Sequence, residues 1–537
     1  MAAVSPPETC SGAAPRPTDP SHHPQSHEKR PGHISCHHRI AISPSSGLPP
    51  SHSSAPTSTS PVCHHLMCLF HPQKNWKRFF TSSILAAILL CTLLYEPFGW
   101  AKPVRSSELD QVNFELSFKV YNASTQHSEP RQSDETENRI LNAAPILGFY
   151  EQSNAKLSDW MSNVPDDTPI TSMSIPGTHD AATWNYTQAT QDSLEAVTGK
   201  IPPAIAYQCQ DRSLFQMLGD GIRFFDLRVG FLPDHQQLGF FHASALLSTT
   251  ATLPDVLLGF YKWLDHHPTE TILVSIKVDN ATFGNPPSEG QPSSKNLQLM
   301  LYDLLTQSDV ARNHWLQEDS KLGTLGGARG KMIFIQRIDW DEVRNGRGEY
   351  RPIGIPLPPR GFLENGKNFT MVYNAAENAR AFVEDFYDIL PYHTPLADKF
   401  SQKFDAVHAH LRMAASQYPD TVDQLFITFA SGEALRNLPP VTPKMLAIGT
   451  GEEESLKDSV NGRIERLLVE QYGGGGGVEW QRLGILIFDW YHHLPGLIQL
   501  VINQNPLTPP SSPLGSPSDD GLSQNSYLPV DDSQYSS

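Results

Sequence analysis

The sequence predicts an α/β fold, a distorted (β/α)8 barrel of the TIM type, and three observations predict it. Short apolar, β-branched runs recur from residue 156 onward: Ile170–Ile175, Ile222–Val229, Leu238–His242, Thr271–Val278, Lys331–Gln336, Phe369–Tyr373, Leu425–Ala430 and Leu483–Phe488. Several are apolar on both faces, as strands buried in a parallel sheet must be. Stretches of helical periodicity lie between many of them, such as Leu253–His266 and Ala379–Ile389. Eight strands alternating with helices or loops between residues 156 and 505 is the arithmetic of a barrel, whose chemistry belongs at the C-terminal strand ends. Gly284–Ser294, Trp340–Asn365 and the Gly473–Gly477 run read as loop insertions that enlarge the barrel without changing it.

The flanks are of another kind. Residues 1–75 hold ten of the chain's 22 histidines among Pro and Ser, and residues 506–537 contain no Lys or Arg. Neither stretch has the apolar content to offset chain entropy, so both are expected to be disordered. The Cys-His-His clusters at 36–38 and 63–65 lack paired zinc spacing. Residues 102–155 are polar and read as a linker or stalk.

Lys74, Lys77 and Arg78 precede an uncharged apolar run of 17 residues, Phe79–Tyr95. That length suits either a signal anchor or the core of a signal peptide, and Gly99-Trp100-Ala101 supplies small residues for cleavage. Met67 would be a conventional initiator for such a peptide, so residues 1–66 are expected to be an extended or misassigned start. The sequons Asn122, Asn185, Asn280 and Asn368 all follow the apolar run, as a lumenal or extracellular C-terminal bulk requires. Five of the six cysteines precede residue 100, which leaves Cys209 alone in the barrel region and excludes a disulfide within it. A net charge of −17 without Lys/Arg clusters argues against a nucleic-acid partner.

The chemistry-bearing residues end the early strands. His179-Asp180 follows the first, Asp226 and Arg228 share one face of the second, and His242 ends the third. Alone, a His-Asp neighbour pair or an Asp/Arg pair is more often structural. Together they supply a base, an acid and a fixed cation, which is what in-line cleavage of a phosphodiester needs.

Ile175-Pro176-Gly177-Thr178-His179-Asp180, the block from Ser213 through Arg228, His242, and Glu270 through Lys277 resemble the X domain of bacterial-type phosphatidylinositol-specific phospholipase C in order and spacing. Arg329–Arg337, Val383–Tyr387 and Gly484–Trp490 resemble later motifs of that family, so the resemblance spans roughly residues 156–505. It implies that His179, oriented by Asp489, deprotonates the inositol 2-hydroxyl, and that His242, helped by Asp180, protonates the departing diacylglycerol oxygen. Arg228, held by Asp226, would stabilise the phosphate, with Lys277, Arg337 and Asp385 binding inositol hydroxyls and Tyr387 stacking on the ring.

Calcium-dependent members have Asn after the first His and a carboxylate where Arg228 stands; Asp180 and Arg228 therefore imply no metal and no cofactor. The implied partners are a phosphoinositide or glycosyl-phosphatidylinositol lipid and a membrane surface. The resemblance departs at Ala243, where the family carries Gly, and a Cβ there is expected to crowd the phosphate or shift His242. A catalytically weak glycolipid- or membrane-binding protein, and a phosphodiesterase for another headgroup, are the competing readings.

Overall fold

The computed structural model describes residues 132–150, 156–233, 236–279, 294–346, 350–418, 420–472 and 480–506. The expectations for residues 1–75, the apolar run Phe79–Tyr95 and the tail 507–537 lie outside them. Among the described residues no helix is long and apolar enough to cross a membrane.

The strands are β1 Ile175–Thr178, β2 Phe224–Phe231, β3 Leu238–His242, β4 Ala245–Leu246, β5 Thr271–Val278, β6 Lys331–Arg337, β7 Ile355–Pro356, β8 Phe369–Asn374, β9 Ala379–Glu384, β10 Leu425–Phe429 and β11 Ile485–Phe488. They form one sheet in the order β7-β6-β5-β2-β1-β11-β10-β9-β8, with β3 and β4 attached off that path. Neighbours from β7 round to β9 pair in parallel. The result is an eight-stranded parallel barrel, nearly closed, whose seam lies between β7 and the edge strand β8.

The strand count agrees with the sequence, but the membership does not. Leu238–His242 is not a barrel strand: β3 folds back antiparallel on β2, pairing Val229 with Phe240 and Phe231 with Leu238. Phe369–Asn374 is an antiparallel edge strand on β9, with alternating exposure and a bulge between Val372 and Asn374. Their barrel places are taken by β7, inside the stretch read as an insertion, and by β9, inside the stretch read as a helix. Ala379-Arg-Ala-Phe-Val-Glu384 has a helix-friendly composition, and pairing with the buried β10 overrides it.

The first strand also begins later than expected. Pro169 starts a 3-10 turn at Ile170–Ser172, and the strand forms only from Ile175. Gly177 is required there, because a Cβ would lie 2.9 Å from Phe224 and 3.2 Å from Ile487.

Helix Leu253–His266 spans the expected residues, opened by Thr252, whose side chain accepts from the Asp255 amide. Against it packs a helix within the supposed linker, Gln132–Asn142, joined by an Arg139–Asp255 ion pair at 2.7 Å. Ile140, Ile146 and Leu147 enter the core, so the linker reading fails for that part and the folded unit already includes residue 132. At the other end Asn505 bonds both backbone groups of Ser174, at 2.9 and 2.8 Å, which ties the last described turn to the entry of β1. Under the barrel, Arg223 is fully buried, forks onto Glu270 at 2.9 and 2.7 Å and lies over the Trp263 ring, pinning the starts of β2 and β5.

Candidate active site

The C-terminal strand ends surround a cavity of about 320 Å³ lined by His179, Arg228, His242, Lys277, Arg337, Asp385, Tyr387 and Asp489, among others. The structure therefore brings eight of the ten sequence-selected residues to one hollow. Asp180 and Asp226 lie just beneath it, almost fully buried.

Register explains the cations. Arg228 pairs with Lys277 across β2 and β5, and Lys277 with Arg337 across β5 and β6, so three positive side chains stand in one row. Carboxylates between them offset the repulsion. Asp226 accepts from Arg228 Nε and Nη2 at 3.2 and 3.1 Å, and Arg337 Nη1 stands 3.6 Å from its other oxygen. Burial alone would raise the Asp226 carboxyl, but Arg228 and then Arg337 outweigh it and hold it below the usual carboxylate range. Arg228 Nε also lies 3.1 Å from Asp180 Oδ1. Lys277 is lowered, chiefly by Arg228 and then by burial.

The histidine tautomers follow from their partners. Arg228 Nη2 lies 2.7 Å from His179 Nε2, and a guanidinium only donates, so Nε2 accepts. The ring proton is then on Nδ1, which donates to Asp489 Oδ1 at 2.9 Å. His242 Nδ1 lies 2.8 Å from the Tyr207 carbonyl oxygen, which only accepts, so this ring also carries its proton on Nδ1 and presents a bare Nε2. Both Nε2 atoms are 3.3 Å from Asp180 Oδ2. His179 Nε2 already accepts from Arg228, which leaves Asp180 Oδ2 and His242 Nε2 as two acceptors facing each other, the place for one shared proton.

Burial drives the titrations in the same sense. It holds His179 well below the ordinary histidine value, with Arg228 adding to the effect, and lowers His242 to about 4, again with help from Arg228. Burial also raises Asp180 well above the carboxylate range, against the pull of Arg228, and raises Asp489.

His242 reaches this point by a different route from the one expected. The antiparallel return of β3 brings it back to the barrel mouth, and the tight turn into β4 passes through Ala243 at φ +48°. The Ala243 amide donates to Asp279 Oδ2 at 2.7 Å. Asp279 also approaches Lys277 at 3.5 Å and Arg228 at 3.7 Å. Sequence reasoning passed over this residue, although Lys277 and Asp279 share the period-two face that had picked out Asp226 and Arg228.

Asp385 follows strand β9 and so lies at a barrel strand end, not in a helical acidic stretch. Its carboxyl is 3.8 Å from Arg337 Nη2, which stacks over the Phe362 ring at 4.1 Å. Tyr387 holds Glu364 through its hydroxyl and accepts the Glu433 amide on its carbonyl at 2.7 Å. Glu433 lines the cavity too, raised to about 7 by burial and then by Asp388; it stands in an irregular loop after β10, where no periodicity pointed to it.

Three side-chain groups among the described residues bring ligand-type atoms together: His179 with Asp180 and Asp226, Asp180 with Cys209 and His242, and His179 with Cys209 and Asp489. In the first, Arg228 already occupies the carboxylates.

No protein-family model matches the chain. It is 27% identical over 184 residues to a 1-phosphatidylinositol phosphodiesterase of Listeria monocytogenes, covering 34% of this chain and half of that protein. It is 23% identical over 299 residues to the protein of the same name from Staphylococcus aureus strain Newman, covering 54% of this chain and 83% of that one. A Mus musculus PI-PLC X domain-containing protein 1 is 29% identical over 137 residues, 22% of this chain and 39% of its own. Among solved structures, a mutant phosphatidylinositol-specific phospholipase C from S. aureus aligns with a TM-score of 0.47 at 20% identity, covering 66% of this chain and 99% of that one. With its motif residues gathered at one barrel mouth, the chain is similar to curated 1-phosphatidylinositol phosphodiesterases and PI-PLC X domain-containing proteins, and it spans about half the length of the first of these.

Proposed function

We propose that the chain is a phosphodiesterase that cleaves phosphatidylinositol-type lipids without a metal ion, releasing diacylglycerol and a cyclic inositol phosphate. One observation carries the reading. The bare Nε2 atoms of His179 and His242 converge on Asp180 Oδ2 beside the Arg228 guanidinium, with the two ring centroids 6.3 Å apart.

His179 Nε2 takes the proton of the inositol 2-hydroxyl, and Asp489 stabilises the imidazolium that forms. The 2-oxygen attacks phosphorus in line, closing the cyclic diester as the bond to the diacylglycerol oxygen breaks. The proton held between Asp180 and His242 passes to that leaving oxygen. Arg228 meets the charge on the phosphoryl oxygens, and Asp226 beneath it fixes the fork. Lys277, Arg337 and Asp385 serve the inositol hydroxyls, and Tyr387 the face of the ring. The same headgroup chemistry extends to glycosyl-phosphatidylinositol lipids.

The membrane partner is supported by the rim. Ile205, Leu363, Leu390 and Leu438 stand exposed on mouth-side loops after β1, β7, β9 and β10, Leu438 at 72% exposure. A secretory, membrane-anchored or secreted placement is supported by the basic-flanked apolar run 79–95 and by the sequons at Asn185 and Asn368, both on exposed residues.

The test is to incubate the purified protein with phosphatidylinositol vesicles in excess chelator and follow phosphorus NMR. A cyclic phosphodiester resonance growing in step with diacylglycerol is expected. No turnover, or a linear phosphate as the first product, contradicts the reading.

A further inference from the structure

A thiol that the proposed reaction does not use adjoins the residues that hold the transferable proton. Cys209 is fully buried and held from both sides: its amide donates to Thr183 Oγ1 at 3.0 Å, and its carbonyl accepts the Trp490 amide at 3.0 Å. Its sulfur lies 4.0 Å from His242 Nδ1. One ligand-type atom each from Asp180, Cys209 and His242 falls within 4.8 Å of the others. Asp180 is 1% exposed, and its Oδ2 lacks a well-formed hydrogen bond while facing two acceptor nitrogens. Acceptors facing one another call for a cation, and a proton is not the only one that fits.

We propose that Asp180, Cys209 and His242 form an inhibitory binding site for a divalent metal ion of the zinc type. The donor set is one oxygen, one imidazole nitrogen and one sulfur, the mixture zinc takes with a fourth position left open. The thiol decides the class, because a thiolate favours zinc over calcium or magnesium. Arg228 is satisfied on Asp180 Oδ1, so the ion competes for Oδ2 alone. The nearby carboxylates Asp226 and Asp279 compensate the positive charge of Arg228 and Lys277.

Binding releases the Cys209 thiol proton and the proton shared by Asp180 and His242, and it forms metal–sulfur, metal–nitrogen and metal–oxygen bonds. His242 offers the lone pair of Nε2, the atom that stands 3.3 Å from Asp180 Oδ2, while its Nδ1 proton stays hydrogen-bonded to the Tyr207 carbonyl. With that lone pair on the metal, nothing protonates the leaving oxygen and cleavage stops; chelation restores it. The inhibition rests on the proposed phosphodiesterase function, but the metal binding does not.

The test uses the whole protein and cobalt(II) as a coloured substitute. A thiolate-to-cobalt absorption band is expected, displaced by zinc, lost in Cys209→Ala and Cys209→Ser, lost in Asp180→Asn and kept in Asp489→Asn. Circular dichroism melts identify any variant that fails to fold, and the serine variant preserves the volume of the buried thiol. In the activity arm, zinc inhibits the wild type reversibly, and Cys209→Ala retains activity while needing at least tenfold more zinc. A band unchanged in both cysteine variants, or lost in Asp489→Asn but kept in Asp180→Asn, overturns the assignment. Absence of phosphodiesterase activity with the cobalt pattern intact overturns the functional reading and leaves the metal site standing.

Discussion

Asp180, Ala243 and Trp490 are non-glycine residues in the left-handed region, at φ 42°, 48° and 48°, and all three border the cavity or its wall. Asp180 and Trp490 directly follow His179 and Asp489, the first residues beyond the adjacent strands β1 and β11, where the chain must turn sharply to leave the sheet. Such conformations cost about 1–2 kcal/mol each and persist where surrounding contacts enforce them. Ala243→Gly should therefore raise stability by about 0.5–1 kcal/mol, read as a higher urea midpoint at unchanged slope, since the glycine's chain entropy offsets part of the relief. A lower midpoint would show that the Ala243 turn is unstrained. The pH dependence is also set at this scale. His179 and His242 have folded values below the unfolded value of about 6.5. As the pH falls below 6.5 toward about 4, the unfolded chain binds more protons and the folded state loses stability; above 6.5 the contribution is complete. Glu384 and Glu433, raised to about 7, act in the opposite direction, so the histidine share is read by difference: from pH 7 to pH 5 the wild type should lose urea midpoint relative to His242→Asn, and a constant difference would contradict the lowered value. His179, Asp180, Asp226, Arg228 and His242 are legible as strand ends and a period-two face, which are local patterns, whereas Asp489, Lys277, Arg337, Asp385 and Tyr387 are reached only through the family resemblance. Cys209 was legible only as an unpaired thiol, because its nearness to His242 depends on how the long β1–β2 connection folds over the barrel.

At the scale of elements, helix Leu396–Ser416 clamps the segment that carries Asp385 and Tyr387. Lys403 Nζ donates to Glu384 at 2.9 Å and to the Phe386 carbonyl at 2.8 Å, while Lys399, one turn earlier, reaches the Ile389 carbonyl at 2.6 Å. Both lysines are fully buried. Burial lifts Glu384 to about 7 against the pull of Lys403, so the pair is costly to break from one side. Lys403→Met should destabilise the fold by about 3–5 kcal/mol, and adding Glu384→Leu should recover most of that. Denaturant unfolding of the two variants decides the matter, and a double variant no more stable than the single would contradict it. The errors in strand assignment belong here too. Helical propensity in Ala379–Glu384 and the brevity of Ile355–Pro356 hid two barrel strands, whereas Leu238–His242 has the apolar content of a barrel strand and differs only in its direction. Direction shows only in the pairing of β3 back onto β2, a non-local outcome that apolar content does not encode.

For the whole molecule, the proposed action on a lipid surface relies on exposed leucine and isoleucine in the loops that follow the barrel strands, beside the polar hollow. Replacing Leu390 and Leu438 by Asp should weaken binding to phosphatidylinositol vesicles by at least tenfold while leaving cleavage of a monomeric short-chain substrate unchanged. Equal losses on both would place these leucines in folding and not at an interface. The central claim is that a guanidinium stands where a metal ion would act, and it is met most directly by one rate comparison. Phosphatidylinositol cleavage is measured in chelator and in added calcium, for the wild type and for Arg228→Lys. The account predicts equal wild-type rates in both conditions and a loss of about 10²–10³-fold in Arg228→Lys that calcium does not rescue, because an ammonium lacks the planar fork. Wild-type activity abolished by chelator and restored by calcium would contradict it.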